Sequence, residues 1–309
     1  MRAFAHDVFT YPLPAGHRFP LAKYRLVREA AERLEKVDVH GADAADWDQL
    51  ERTHTRDWVE RVRDGRLERR DELALGLPWS PELVERARRA TGATILAARA
   101  SLEDGVAANL GGGTHHAFAH SGRGFCVFND VVTALRELRA SGLVRRVLVV
   151  DVDVHQGDGT HALLAADAEA FTLSVNGWRN YPFRRVPGDL DVDLPDGTGD
   201  ERYLEELARV LPDAVRRARP DLCFVLAGAD PFEGDRLGRL ALTKAGLRAR
   251  DLLIRDTLAA EGVPACVTLA GGYAADVHDT VEINVSTIRV FARSPSDATT
   301  PAAGERVPA

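Results

Sequence analysis

Five short apolar runs punctuate the chain, at residues 106–110, 147–151, 170–175, 222–227 and 265–270. Their length and near-continuous hydrophobicity predict strands buried on both faces. Between and around them, longer stretches at 21–34, 81–103, 130–141, 200–219 and 243–261 carry apolar positions at helical spacing. Two helix starts have a local signal. Ser80 precedes Pro81, placing a capping hydroxyl before a proline at the first helical position, and either Asn129 or Asp130 can cap the helix at 130–141. Strands alternating with helices predict an α/β fold, a parallel sheet with helices on both faces. In such sheets, sites lie beyond the carboxyl ends of the strands.

Those ends are where the polar chemistry falls. "GGGTHHAF" follows the first run, "DVDVHQGDG" the second, "GADPFEGD" the fourth and "GGYAAD" the fifth. One such end is ordinary. Four ends converging on one sheet edge predict an active site.

Composition narrows the setting. The 309 residues suffice for one large α/β domain or two small ones, and 45% hydrophobic with 28% charged residues is the balance of a globular protein. The net charge of −7 argues against bulk nucleic-acid binding, which needs a basic face. Lysine occurs only at positions 23, 36 and 244, so the positive charge is nearly all arginine. Cys126, Cys223 and Cys266 form no CxxC pair and read as buried reduced thiols. Neither a signal-peptide core nor an apolar run of membrane-spanning length is present, which gives a cytoplasmic expectation. The segment 294–309, rich in Pro, Ala, Ser and Thr, is expected to be a flexible tail behind a domain spanning 1–293.

In an extended segment, Asp151, Asp153 and His155 would share one face, with Val152 and Val154 opposite. Asp-x-His offers a carboxylate oxygen and an imidazole nitrogen to one point, a set that suits Zn²⁺ and also Fe²⁺ or Co²⁺. Taken alone it is more often an acidic, solvated turn. Asp230 is the best candidate for a third ligand. His115 and His116 admit roles as ligands, acid/base groups or loop residues. With Asp151 and Asp158 to spare, two His–Asp pairs can form, each fixing a tautomer and raising basicity. Tyr273, beside two glycines, could donate to an oxyanion or simply pack on a helix. The remaining histidines (His6, His17, His40, His54, His120, His161 and His278) read as structural or surface groups.

The five motifs "GGGTHHAF", "GFCVFND", "DVDVHQGDGT", "GADPFEGD" and "LAGGYA" resemble, in this order, those of the histone deacetylase superfamily. The resemblance runs from about residue 11 to 290. "PLPAGHRFPLAKYRL", "GLPWSP", "HQGDG" and "NYPFRRVPGDLDVDLPDGTGD" are similar to the class IV branch and its bacterial relatives. It implies a single-domain, three-layer arginase/deacetylase-like fold with a mainly parallel central sheet. It also implies a zinc-dependent deacylase acting on an acyl-lysine peptide or protein, or on a small acylated amine. By that resemblance Asp153, His155 and Asp230 hold the metal. His116, supported by Asp158, is the general base and later the acid. His115, supported by Asp151, is the electrostatic partner, and Tyr273 the oxyanion donor. Gly124, Phe125, Tyr181, Phe183 and Gly271 line a substrate tunnel, and a structural K⁺ sits near Asp151, Asp153, His155 and Ser174. A homo-oligomer is compatible with it. Two other readings stay open: an arginase-like hydrolase with two bridged metals, and a catalytically silent scaffold that binds a metabolite.

Overall fold

The computed structural model describes residues 1–5, 8, 11–14 and 16–293. The expected tail at 294–309, and His6, lie outside the described residues. Eight strands form one sheet: β1 (Arg2–Ala5), β2 (Asp38–Gly41), β3 (Val106–Asn109), β4 (Val147–Asp151), β5 (Ala170–Gly177), β6 (Leu190–Leu194), β7 (Leu222–Leu226) and β8 (Ala265–Thr268). Their order is β2-β1-β3-β8-β7-β4-β5-β6, and every neighbouring pair is parallel. The sheet is thus wholly parallel, as α/β alternation requires. Every residue of β4, β7 and β8 is buried, which is why their sequences read as unbroken apolar runs.

The described residues also form ten helices: α1 (Ala22–Ala31), α2 (Trp47–Glu51), α3 (Arg56–Arg63), α4 (Arg69–Leu75), α5 (Pro81–Asp104), α6 (Asp130–Ala140), α7 (Asp158–Leu164), α8 (Asp200–Ala218), α9 (Lys244–Ala260) and α10 (Val277–Phe291). One layer has α5 against β1, β3 and β8, with α6 beside it. The other has α8 against β4, β5 and β6, continuing through α9 and α10 to α1. The Ser80 hydroxyl accepts from the Leu83 amide, with Pro81 in the first turn, an arrangement typically worth about 1 kcal/mol. At the start of α6 it is Asn129 that caps, accepting from Val132 N–H. Asp130 is used elsewhere.

The four strands with chemistry at their ends, β3, β8, β7 and β4, are consecutive neighbours in the sheet. The sheet order therefore delivers the convergence that the sequence only suggested. Among the described residues, no helix is long and apolar enough to cross a membrane. All three cysteines are free and buried.

Candidate active site

The expected extended run from 151 to 155 stops at Asp151. The last ladder bond in this direction is Val152 N–H to Leu226 O, 3.0 Å. Beyond it the amides turn to carboxylates. Asp153 N–H donates to Asp151 Oδ1 (3.1 Å), Val154 N–H to Asp230 Oδ1 (2.9 Å) and His155 N–H to Asp153 Oδ1 (3.0 Å). Aspartates that capture nearby amides compete with the sheet and bend the chain into a turn. The turn brings together what strand alternation would have aligned.

Asp153, His155 and Asp230 each offer a ligand atom, all within 4.8 Å of one another. His155 Nδ1 lies 3.0 Å from Asp153 Oδ1 and 3.2 Å from Asp230 Oδ2. Gly271 N–H donates to Asp153 Oδ2 at 2.8 Å. A side chain at Gly271 would collide with Asp230 and Asp153, so glycine is required there. Burial pushes Asp230 up to about 7, helped by the charge of Asp153. Burial acts to raise Asp153 too, but His115 and His155 hold it well below the usual carboxylate range. His155 is drawn up to about 10: burial opposes its charge, and the two carboxylates outweigh burial. Asp230 Oδ2 is buried without a hydrogen bond. Two buried carboxylates and one imidazole thus crowd together at distances that raise Asp230 and His155 alike, and a shared cation would satisfy all three. The donor set, three protein ligands of N and O type, fits a catalytic divalent metal.

His115 and His116 stand side by side, ring centroids 4.1 Å apart. His115 Nδ1 is 2.6 Å from Asp151 Oδ2, and His116 Nδ1 is 2.7 Å from Asp158 Oδ1. Both pairs are buried. They differ in charge. Burial lowers His115, but Asp151 and Asp153 overcome it and raise the group to about 9. Burial lowers His116, and the neighbouring His115 charge drives it on to about 4. One imidazole is therefore a cation and the other a neutral base. With Nδ1–H given to Asp158, His116 keeps its Nε2 lone pair free of that bond.

The loop carrying the histidines is fixed from below by Asp130. Its Oδ1 accepts from Thr114 N–H (2.8 Å) and Thr114 Oγ1 (2.6 Å), and its Oδ2 from Gly113 N–H (3.0 Å) and Thr94 Oγ1 (2.6 Å). Sequence reasoning had offered Asp130 only as a helix cap. His54, read as structural, is so: its Nδ1 pairs with Phe118 O, and its Nε2 accepts from Asn129 N–H, each at 2.9 Å. The strand register sets Asp151 beside Ser174, two of the residues expected near K⁺.

A pocket of about 720 Å³ opens over this floor. All five tunnel candidates, Gly124, Phe125, Tyr181, Phe183 and Gly271, line it. Phe125 sits at φ 68°, where a side chain is strained, held by its N–H to Leu75 O at 2.8 Å. Gly124 before it cannot take a Cβ, which would lie 2.7 Å from the His116 ring. Tyr181 is perpendicular to His116 at 4.9 Å, while Phe183 is 88% exposed. Tyr273 borders the same space, 5.8 Å from Phe125 by ring centroids, and its hydroxyl is pushed well above its ordinary value by burial. Its loop is anchored by Tyr273 N–H to Asp235 Oδ2, 2.6 Å. Phe19, 5.0 Å from Phe125, also lines the pocket, and no motif marks it beyond its place in a quoted stretch.

Fold and site define an α/β protein with a carboxylate–imidazole centre at the carboxyl edge of its sheet. Comparison then gives the family. Residues 17–287 match the model of the histone deacetylase domain. The chain is 41% identical over 279 residues to an uncharacterized protein of Picosynechococcus sp., covering 89% of this chain and 93% of that one. It is 29% identical over 287 residues to the histone deacetylase-like amidohydrolase of Pseudomonas aeruginosa, covering 85% and 74%. With histone deacetylase 2 of Arabidopsis thaliana it shares 35% over 190 residues, 60% of this chain and about half (49%) of that protein. The crystal structure of the HDA15 HD domain superposes with a TM-score of 0.79 at 22% identity, covering 94% and 89%, which supports the fold. This chain belongs to the histone deacetylase family and is a hydrolase of that family.

Proposed function

We propose that the chain is a metal-dependent deacylase that hydrolyses the amide of an acyl-lysine or related acylated amine. One observation carries this reading: His115, His116, Asp153, His155 and Tyr273 line one pocket, with Asp151 and Asp158 paired to the two histidines and Asp230 clustered with Asp153 and His155. Zinc fits the ligand set, and Fe²⁺ or Co²⁺ fits the same donors. A bound divalent ion supplies Lewis acidity towards the amide carbonyl and towards water.

The protein's own groups supply the rest. His116, neutral and oriented by Asp158, accepts the proton of the attacking water at Nε2. It then returns that proton to the leaving amine. His115, held cationic by Asp151, favours negative charge building up beside it. Tyr273 keeps its proton, because burial raises it, and donates its hydroxyl to the carbonyl oxygen as that oxygen gains charge. Phe125 and Tyr181 form apolar walls for the chain carrying the amide. Amide plus water gives carboxylic acid plus amine, which leave at neutral pH as carboxylate and ammonium.

Hydrolysis of acetyl-, octanoyl- and myristoyl-lysine peptides, with zinc-loaded and metal-stripped protein, tests this reading. Metal-dependent release of at least one acid is expected. Release of none from the loaded protein would leave the silent-scaffold reading in its place.

A further inference from the structure

The pocket does not end at the catalytic floor. Its wall runs from exposed Leu73 and Phe183 to Tyr24 and Arg86, which are 8% and 4% exposed. Arg86, on α5, has its guanidinium carbon 5.0 Å from the ring centroids of both Phe19 and Tyr24. Its terminal nitrogen donates to the Tyr24 hydroxyl at 2.9 Å, and its Nε is buried without an acceptor. Among the described residues no carboxylate lies within ion-pair distance of it. Lys23 is the second buried cation here, 1% exposed and 5.2 Å from the Tyr24 ring. Its ammonium reaches only the carbonyls of Ala270 and Gly272, each at 3.3 Å.

Two buried cations without a carboxylate are unusual, because an unpaired charge out of water is strongly disfavoured. Arginine does not escape by losing its proton. Arg86 lines the cavity with its guanidinium packed against two rings, so its positive charge is a constant feature of that end. A long alkyl chain pushed against it would gain little from burial and would seal the charge further from water. An anion in the pocket would meet the guanidinium's charge, which no carboxylate of the described residues does.

We propose that Arg86 forms a carboxylate subsite at the inner end of the pocket, so that the preferred acyl group is a short dicarboxylic one, of the succinyl or glutaryl class, joined to an amine. The idea rests on the deacylase reading above and names its substrate class. The near carbonyl of the acyl group lies at the catalytic floor and its far carboxylate meets Arg86. Phe19 lies between, with its ring centroid 6.4 Å from that of Tyr273 and 5.0 Å from the guanidinium.

Matched lysine peptides separate charge from length: succinyl against butyryl, glutaryl against pentanoyl, with acetyl as the common reference. On the zinc-loaded protein, kcat/KM is expected to favour the acidic member of at least one pair by about ten- to a hundred-fold, the scale of a hydrogen bond to a charged group. Arg86→Leu should abolish that preference, and Arg86→Lys should keep part of it. Equal or better turnover of both neutral members by the unsubstituted protein would overturn the subsite while leaving deacylation standing. A second readout is independent of turnover: calorimetric binding of glutarate and of pentanoate to the unsubstituted and Arg86→Leu proteins. Binding of glutarate that exceeds pentanoate and is lost with Arg86 supports the subsite, even if no peptide is cleaved and the deacylase reading falls. Equal binding of the two acids, or a preference that survives Arg86→Leu, rejects it.

Discussion

At the floor of the pocket, Asp153, Asp230, His115 and His116 are at most 4% exposed; at the rim, Phe183 is 88% exposed and Leu73 70%. The floor stands on the ends of four adjacent strands and the loops they launch, and each floor side chain has a named partner. The rim comes from α4 and from the loop between β5 and β6, and its large side chains stand in solvent. The floor therefore fixes protonation states and geometry, which catalysis needs to fractions of an ångström. The rim is free to vary, and selection of what carries the acyl group can reside there.

Substitutions should divide along the same line. The largest effect is expected from Asp230→Ala, which removes a proposed ligand and leaves His155 opposed by Asp153 alone. Metal content by elemental analysis should fall towards zero and turnover with it. A full complement of metal would take Asp230 out of the cluster. Next is Tyr273→Phe, with a loss of roughly 10²–10³ in kcat, as for deletion of one oxyanion donor. Its metal content should stay intact, and unchanged turnover would remove Tyr273 from the chemistry.

A third expected effect concerns the support beneath the floor. Burial drives His54 from its ordinary value down to about 4. The unfolded chain takes the proton near pH 6.5, the folded one only near 4. His54 thus contributes stability that is complete above about pH 6.5 and is lost as pH falls towards 4. Between pH 7 and pH 5 its share of the loss is roughly 2 kcal/mol. Denaturant midpoints should show a shallower pH dependence in His54→Asn than in the unsubstituted protein; parallel curves would contradict the neutral, doubly bonded imidazole. The smallest effect is expected at the rim. Phe183→Ala should change KM by about twofold and leave kcat alone, since an exposed contact at an edge carries little binding energy. A large fall in kcat there would break the division between floor and rim.

The same division governs what could be seen in the sequence. Strands β3, β4, β5, β7 and β8 were legible because burial on both faces writes an apolar run. Strands β1, β2 and β6 were not. In β1, RAFA has one large apolar side chain, β2 is exposed or half-buried along its length, and β6, an edge strand reading LDVDL, is only partly covered and keeps its aspartates. Helix α10 went unassigned: β-branched residues crowd its sequence, and tertiary packing decides its state. The floor was readable because its motifs are local and chemically distinctive. Asp130 was half-read, as a cap, since nothing in one dimension says that its carboxylate reaches back to Gly113, Thr114 and Thr94. Phe19, Lys23 and Arg86 come from two helices and a loop remote from every motif but one, and only packing brings them to the pocket.

The central claim is that the floor is a single-metal deacylase centre, and a metal titration followed by hydrolysis tests it most directly. Metal-stripped protein at known concentration would receive Zn²⁺ in steps, with release of acid from the best acyl-lysine peptide measured at each. Activity is expected to rise linearly and level off at one ion per chain, matching the single set of Asp153, His155 and Asp230. A plateau only at two ions would favour a bridged, arginase-like centre, and hydrolysis independent of added metal would contradict the account outright.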